Sequence, residues 1–170
     1  NAYFFRLISD RYVQKDEMTG ADRIANFPNG TILHHEDWKP ITGEQAWAAI
    51  LGPLHAAHLS GDLDGENQPE ALRLAESVLP AFEAMASPIG AIYHAPHGTH
   101  GKSGFDISNE NNFSTLAALR ILRLELLKKG KTYEASRVAG LITGILSYLK
   151  HYGFDAKEGV FFQGGFYLQN

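Results

Sequence analysis

The spacing of four helix-length segments constrains the fold of this chain more than any other feature of its sequence. The first two segments are joined by a short polar loop, and so are the last two, whereas the other connections are long. In an array of antiparallel helices, alternate connections lie at the same end. We therefore predict two αα-hairpins whose long loops gather at one end. The predicted helices run from about Gly43 to Leu59, Pro69 to Ala86, Asn111 or Asn112 to Lys129, and Tyr133 to Tyr152.

The first predicted helix carries no charged residue from Ala46 to Leu59. A helix that is apolar on nearly every side is expected to be buried on every side. This pattern favours a core position for Trp47, with a surface for stacking against a ligand ring as the alternative. It also predicts that His55 and His58 are buried, hydrogen-bonded structural histidines.

Local signals mark the helix ends. Thr42, followed three residues later by Gln45, is typical of a capping box at a helix N-terminus. Pro53 is expected to kink the first helix, and Pro69 suits the first turn of the second. Gly130 is expected to end the third helix, so that the fourth begins almost at once.

The second helix is predicted to be amphipathic, with its charged residues largely away from one apolar face. Such a helix packs one side on a core and leaves the other in water. The predicted apolar face consists of Leu72, Ala75, Val78, Leu79, Phe82 and Met85.

The remaining segments are shorter and less regular. Residues 1–12 fit either a short helix or a strand, and residues 13–40 are predicted to be loops with short extended pieces. Strands are expected at 160–162 and 166–169, because Gln163-Gly164-Gly165 between them is typical of a hairpin turn.

Composition excludes several classes of function. Apolar residues make up 44% of the chain and charged residues 20%, which is typical of a globular domain with a real core. A net charge of −4 gives no basic surface for nucleic acid, and no apolar run is long enough for a membrane span. Cysteine is absent, so disulfides and thiolate sites are excluded. No residue decides the compartment, for which we expect an extracellular or periplasmic location.

One short motif resembles a known family. Residues Ile107-Ser108-Asn109-Glu110-Asn111-Asn112, which lead into an Ala/Leu-rich helix, resemble the S-x-E-N-N start of an inner helix in six-hairpin glycosidase-like proteins. The resemblance covers about residues 42–170. It implies an α/α toroid and sugar-processing chemistry at the end that carries the long loops. The loop-rich opening segment, 1–41, then precedes the helical hairpins of 42–170.

The chain departs from that family in the number of its hairpins. Two hairpins are predicted here, and two cannot close a ring that has six. The fold is therefore expected to be mainly α, with antiparallel αα-hairpins of an incomplete toroid and short β-hairpins in the long loops. The chain is then either a single domain or a fragment of a larger toroid domain. Other chains or segments are the expected source of the missing hairpins.

The resemblance directs attention to carboxylates, because glycoside hydrolysis uses two of them on either side of the scissile bond. Glu110 is the first candidate for the general acid or base, with Asp106 or Asp37 as its partner. Glu44 is an alternative second carboxylate. A structural interpretation stays open, in which Glu110 supports the helix N-terminus and Ser108 or Asn109 caps it. For Asp106, an ordinary role in a turn is equally open.

Three histidines lie before this motif. His94, His97 and His100 occur at spacings of three in a loop that Pro96 and Gly98 keep from being a regular helix. They are interpreted as groups that orient a sugar, as metal ligands or as solvated loop residues. We assign no metal and no cofactor.

Aromatic and polar residues near the same loops complete the predicted site. Four aromatic residues are candidates for stacking against sugar rings, whose C–H faces pack on aromatic side chains: Trp38, Trp47, Tyr93 and Phe105. His35 and Asn111 are candidates for hydrogen bonds to hydroxyl groups. The predicted function is carbohydrate processing by acid/base chemistry on a carbohydrate ligand. The alternative is a non-catalytic helical binding module of a larger secreted protein or toxin.

Overall fold

A computed structural model describes residues 5–6, 11–15, 22–26, 32–33, 41–64, 69–96 and 105–167. Its contacts divide the chain into two compact units, residues 1–40 and 41–170. The first unit contains two antiparallel strand pairs. In one, β1 (Phe5–Arg6) pairs with β4 (Ile32–Leu33). In the other, β2 (Arg11–Lys15) pairs with β3 (Asp22–Asn26). Short extended pieces were expected here.

The second unit is mainly helical, as predicted. Its first helix begins as α1 (Thr42–Gln45), continues as a π-helical segment (Ala46–Leu51) and ends as α2 (Gly52–Ser60). Pro53 explains the π-helical segment, because proline has no N–H and its ring collides with the carbonyl four residues earlier. The wider π turn accommodates the ring, and the N–H of Gly52 donates to the carbonyl of Trp47, five residues back.

The predicted capping box is wrong. The helix begins after Ile41, and no side chain caps it. Thr42 is fully buried, and its hydroxyl lies 2.7 Å from the carbonyl oxygen of Tyr93 and 2.8 Å from that of His94. The Thr42 hydroxyl is therefore used in tertiary hydrogen bonds and does not cap its own helix.

The prediction that the first helix is buried on all sides is also wrong. Ala46, Ile50 and Leu54 face the core, but Trp47 is 60% exposed and Leu59 73%. His55 and His58, predicted to be buried, are both exposed. In the described part of the second unit, other helices cover only part of the helix circumference. An uncharged helix is therefore not buried on every side unless other elements pack around it.

Helix α3 (Glu70–Ala84) follows a 3-10 turn (Asp62–Asp64) and confirms the predicted amphipathic pattern. Four of the six predicted apolar residues are buried within the helix, Met85 is buried just after it, and Val78 packs against the core. Glu76 and Glu83 lie elsewhere on the helix, where they form ion pairs with Lys131 and Arg137.

Helices α4 (Asn109–Lys128) and α5 (Thr132–Tyr148) form the second hairpin, and a π-helical turn (Leu149–Gly153) extends α5. Gly130 lies between them with a φ of 70°, a left-handed conformation that glycine adopts without strain. As predicted, this hairpin turn is short. No helix in the described ranges is both long and apolar enough to cross a bilayer.

The two hairpins pack side by side, with equivalent helices parallel. Gly43 lies against Asn111, and Trp47 bonds to Ser114, so contacts advance in the same direction along the first helix and α4. The ion pairs of α3 with α5 advance in the same way. Between the helices lies one hydrophobic core, whose largest fully buried side chains are Phe82, Ile50, Leu54, Leu72, Leu79, Ile92, Leu119, Leu122, Leu126, Ile145 and Val138.

Short antiparallel strands occupy the connections, but the predicted hairpin around Gln163-Gly164-Gly165 is wrong. Strand β6 (Phe154–Asp155) pairs with β7 (Val160–Phe161), and β8 (Gly164–Phe166) pairs with β5 (Asp106–Ser108). A Cβ at Gly164 would collide with the carbonyl oxygen of Ile107. Gly164 therefore permits a close approach to β5, where a turn had been expected.

Candidate functional site

The N-terminal end of α4 is where the connections of the second unit meet. Strand β5 leads directly into the helix, and Ser108 is its N-cap, with the hydroxyl accepting the N–H of Asn111 at 3.3 Å. Capping by Ser108 is one of the two local alternatives predicted for this motif. The helix begins earlier than expected, so the whole Asn109–Asn112 motif lies within its first turn.

Asn112 fastens the preceding connection to the helix. Its Oδ1 accepts the N–H of Ile92 at 2.8 Å, and its Nδ2 lies 2.9 Å from the carbonyl oxygen of Ile92 and 2.9 Å from that of Ser108. The side chain is fully buried. A buried amide with these partners holds a non-helical segment against the helix without leaving polar groups unpaired.

Asn109 does the same for the connection that follows α5. Its Nδ2 donates to the carbonyl oxygens of Gly153 at 3.2 Å and Phe162 at 2.7 Å, and its Oδ1 accepts the hydroxyl of Tyr148 at 2.6 Å. Its backbone N–H donates to the carbonyl oxygen of Gln163 at 2.8 Å. These bonds draw residues 162–163 toward β5, which accounts for the pairing of β8. Burial raises the pKa of Tyr148.

Asn111 and His94 are brought together, as two predicted substrate-binding residues. Asn111 Nδ2 lies 2.6 Å from His94 Nδ1, which is within hydrogen-bond distance. Asn111 also lies directly over Gly43, where any Cβ would collide with its Oδ1. Both residues are partly exposed. The amide of Asn111 therefore helps to position the imidazole of His94.

Glu110 is exposed, in contrast to the buried Asn109 and Asn112 of the same helical turn. It lines an open cleft of about 560 Å³ together with Ser108, Asn109, Phe113, Ser114, Phe162 and Gln163. Glu110, Phe113 and Ser114 are three and four residues apart, so they share one face of α4. Among the described lining residues, Glu110 alone carries a charge. Its place in the first turn also suits the helix dipole.

Glu110 is the one residue of the described cleft lining that was predicted as a site residue, since Ser108 and Asn109 were predicted only as helix caps. The other four lining residues were not singled out from the sequence: Phe113, Ser114, Phe162 and Gln163. Helical spacing from Glu110 identifies the first two once the helix is known to include Glu110. The other two depend on the long-range bonds of Asn109, for which the sequence has no signal. Trp47 flanks the cleft, since its indole N–H donates to the hydroxyl of Ser114 at 3.2 Å.

Asp106 lies on β5, and the described cleft lining does not include it. Its backbone carbonyl accepts the N–H of His94 at 2.7 Å, whereas its buried Oδ1 has no hydrogen-bond partner among the described residues. Asp106 and Glu110 thus occupy different surroundings. Their use as a catalytic pair stays a prediction.

Tyr93 is 4% exposed and forms part of the core. Its hydroxyl donates to the carbonyl oxygen of Tyr167 at 3.4 Å, and Phe105 contacts the ring edge-on with centroids 6.4 Å apart. Burial, with a smaller contribution from Tyr167, raises the pKa of Tyr93. A ring buried in this way has no free face on which a sugar could stack.

The other predicted site residues lie outside the described residues: His35, Asp37, Trp38, His97 and His100. The part of the chain that the structure describes contains no group of three or more residues able to hold a metal ion. The three-histidine hypothesis includes two residues beyond that part, so it stays untested.

A scan of protein-family models, a search of curated proteins and a search of solved structures each found no match to this chain. The geometry at the start of α4 is thus the basis on which a function can be proposed.

Proposed function

We propose that the cleft at the N-terminal end of α4 binds a carbohydrate, and that Glu110 acts there as a general acid or base in glycoside chemistry. The observation that carries this proposal is the position of Glu110. It is the one exposed side chain in a turn whose three asparagines are engaged in hydrogen bonds, and it faces the cleft. A carboxyl group at such a surface is open to a ligand.

The chemistry of the cleft supports a sugar as the ligand. Ser114 and Gln163 offer hydroxyl and amide groups for hydrogen bonds to sugar hydroxyls, and Phe113 and Phe162 offer apolar rings for the C–H faces. Specific sites commonly combine aromatic surface with a few placed polar groups. The family resemblance of the motif points to the same class of ligand.

Hydrolysis of a glycosidic bond requires a second carboxyl group. In this proposal the partner carboxylate is Asp106, on the strand that leads into α4. The separation of the two groups, about 5–5.5 Å or about 6.5–9.5 Å, would set retention or inversion of configuration.

A second candidate function is a non-catalytic carbohydrate-binding module. It is favoured by one specific observation, that Glu110 is the single carboxylate among the described cleft residues. In this function, Glu110 accepts hydrogen bonds from sugar hydroxyls and transfers no proton.

We infer further that the two hairpins belong to an α/α toroid. The parallel pairing of the first helix with α4, and of α3 with α5, supports this inference because an inner and an outer layer would pair in this way. Comparing the native mass with the mass of the denatured chain tests it. A native protein that is a monomer of 170 residues contradicts a closed ring, whereas co-purifying chains or a far longer source polypeptide would supply the missing hairpins.

The experiment that tests the function is titration with neutral cello-, malto-, xylo-, manno- and chito-oligosaccharides, followed by product analysis. We expect binding by the wild type and weaker binding by Phe162→Ala. Glu110→Gln keeps the shape and removes the titratable proton, so hydrolysis should fall by about 10²–10⁴-fold while binding persists.

Glu134→Gln is the matched control, because Glu134 also lies in the first turn of a helix, at the other end of the hairpin. It should leave binding and hydrolysis unchanged. Binding without hydrolysis in the wild type would favour the non-catalytic module. If none of the sugars in the series binds, both functions are refuted.

A further inference from the structure

Exposed aromatic side chains continue from the cleft onto the β6–β7 hairpin. Phe154 is 36% exposed, Phe161 51% and Phe162 49%. Each strand of the hairpin has two residues, so the hairpin cannot bury its own side chains. An apolar surface on so small an element is a common mark of a binding surface.

The rings form a continuous row that begins in the cleft. Phe113 lines the cleft and contacts Phe161 edge-on, with ring centroids 5.0 Å apart. Phe161 in turn contacts Phe154, its cross-strand partner, at 4.9 Å. The row therefore leads outward from Glu110 along the hairpin, and a ligand longer than the cleft would meet the outer rings.

The charges of the hairpin are engaged within its own turn. One carboxylate oxygen of Asp155 accepts the N–H groups of Lys157 and Glu158, at 2.9 and 3.1 Å. The side chains of Lys157 and Glu158 form an ion pair at 3.5 Å. With Glu110 as the single charge among the described cleft residues, the surface suits an uncharged ligand.

We propose that the Phe113–Phe161–Phe154 row binds further sugar units of the same ligand, which is therefore a neutral oligosaccharide chain. This proposal rests on the proposed function of the cleft. The open form of the cleft allows a chain to pass, and the rings would pack on the C–H faces of successive units. Glu110 would act near one end of the bound chain, and the hairpin would select for length.

The test compares chain lengths, with the same neutral oligosaccharides of one to six units titrated by calorimetry. The wild type should bind the pentasaccharide of its preferred series about tenfold or more tightly than the disaccharide, since two additional aromatic contacts contribute. The double variant Phe154→Ala/Phe161→Ala should lose this gain and keep the disaccharide affinity. Tyr133→Ala removes a 72%-exposed aromatic residue at the opposite end of the α4–α5 hairpin. This variant should change neither the gain in affinity with chain length nor the disaccharide affinity.

The outcomes separate this proposal from the function on which it rests. The extended site is refuted if the disaccharide binds but affinity does not rise with chain length, or if the double variant keeps that rise in affinity. In either case the cleft proposal survives. If no sugar binds, both are refuted. Tighter binding of polygalacturonate would refute a neutral ligand. Sedimentation with phosphatidylcholine vesicles that the double variant abolishes would identify the surface as a lipid contact.

Discussion

The buried polar side chains at the two ends of α4 differ in how fully they are hydrogen-bonded. At the N-terminal end, Asn109 and Asn112 are 2% and 0% exposed, and each amide has hydrogen-bond partners for both its oxygen and its nitrogen. At the C-terminal end, Glu125 is 6% exposed. Its Oε1 accepts from Lys128 at 2.7 Å, whereas Oε2 has no partner among the described residues.

The difference follows from the chain segments that pack against each end of the helix. The N-terminal end receives irregular segments from two long connections, whose backbone groups need partners when they are buried. The C-terminal end passes through Gly130 into α5, and such a turn satisfies its own carbonyls. The hydrogen-bonded buried amides of Asn109 and Asn112 therefore lie where the loops meet, in the same helical turn as the exposed Glu110.

Replacing Asn112 should have the largest effect and would test whether the amides hold that end together. Asn112→Ala removes three hydrogen bonds and leaves buried groups of Ile92 unpaired. We expect the free energy of unfolding to fall by about 3 kcal/mol or more, as measured by urea denaturation. Asn111→Ala, at a partly exposed neighbour, is the comparison and should cost less. Equal losses would contradict the special role of the buried amide.

Tyr148→Phe should have the next largest effect, because it leaves Oδ1 of the buried Asn109 without its hydroxyl donor. We expect a loss of about 1–2 kcal/mol in the free energy of unfolding at neutral pH. Tyr152→Phe, at a 58%-exposed ring, should cost nothing measurable. Similar losses for the two variants would show that the hydroxyl bond contributes little.

The same tyrosine predicts a dependence on alkaline pH. Burial raises the pKa of Tyr148 above its ordinary 10.0, so above that pH the unfolded chain loses the phenol proton before the folded chain does. Stability from this group is complete below pH 10.0 and declines as the pH rises through the higher folded pKa. The decline of the free energy of unfolding with pH should be smaller in Tyr148→Phe than in the wild type. The same slope in both proteins would contradict this prediction.

Patterns that depend on local periodicity were predictable from the sequence. The apolar face of α3 and the Ser108 cap follow from spacing and from the chemistry of the capping residue. The short and long connections also indicated that the loops would meet at one end. Contacts there between β5 and β8, and between Thr42 and the carbonyl oxygen of Tyr93, agree with that expectation.

Features set by distant neighbours were not predictable. Trp47 was expected in the core because its helix lacks charge, but exposure depends on how many helices surround it. The pairing of β8 depends on a buried amide more than fifty residues earlier, for which Gln163-Gly164-Gly165 has no local signal. Within the S-x-E-N-N motif, the residue types suggested a site. The structure is needed to separate Glu110 from the asparagines that support its surroundings.

At the other end of α4, Glu125→Gln should be tolerated, in contrast to the loss at Asn112. The variant removes a buried charge whose Oε2 is unpaired, and it keeps an oxygen for Lys128. Since desolvation of a buried carboxylate offsets its attraction to a partner, we expect no loss and a gain of up to about 1 kcal/mol in the free energy of unfolding. A loss comparable to that of Asn112→Ala would erase the contrast between the two ends.

The smallest effect should come from the ion pair just beyond this end. Lys131 Nζ lies 2.6 and 2.8 Å from the two carboxylate oxygens of Glu76, and the side chains are 30% and 18% exposed. Water and salt screen such a pair, so its coupling in a double-mutant cycle of Lys131→Met and Glu76→Gln should be about 0.2–1 kcal/mol. The coupling should shrink when salt is raised toward 1 M, where charges are screened within about 3 Å. A larger coupling that salt does not weaken would mean that charge pairing fastens the C-terminal end as firmly as the amides fasten the N-terminal end.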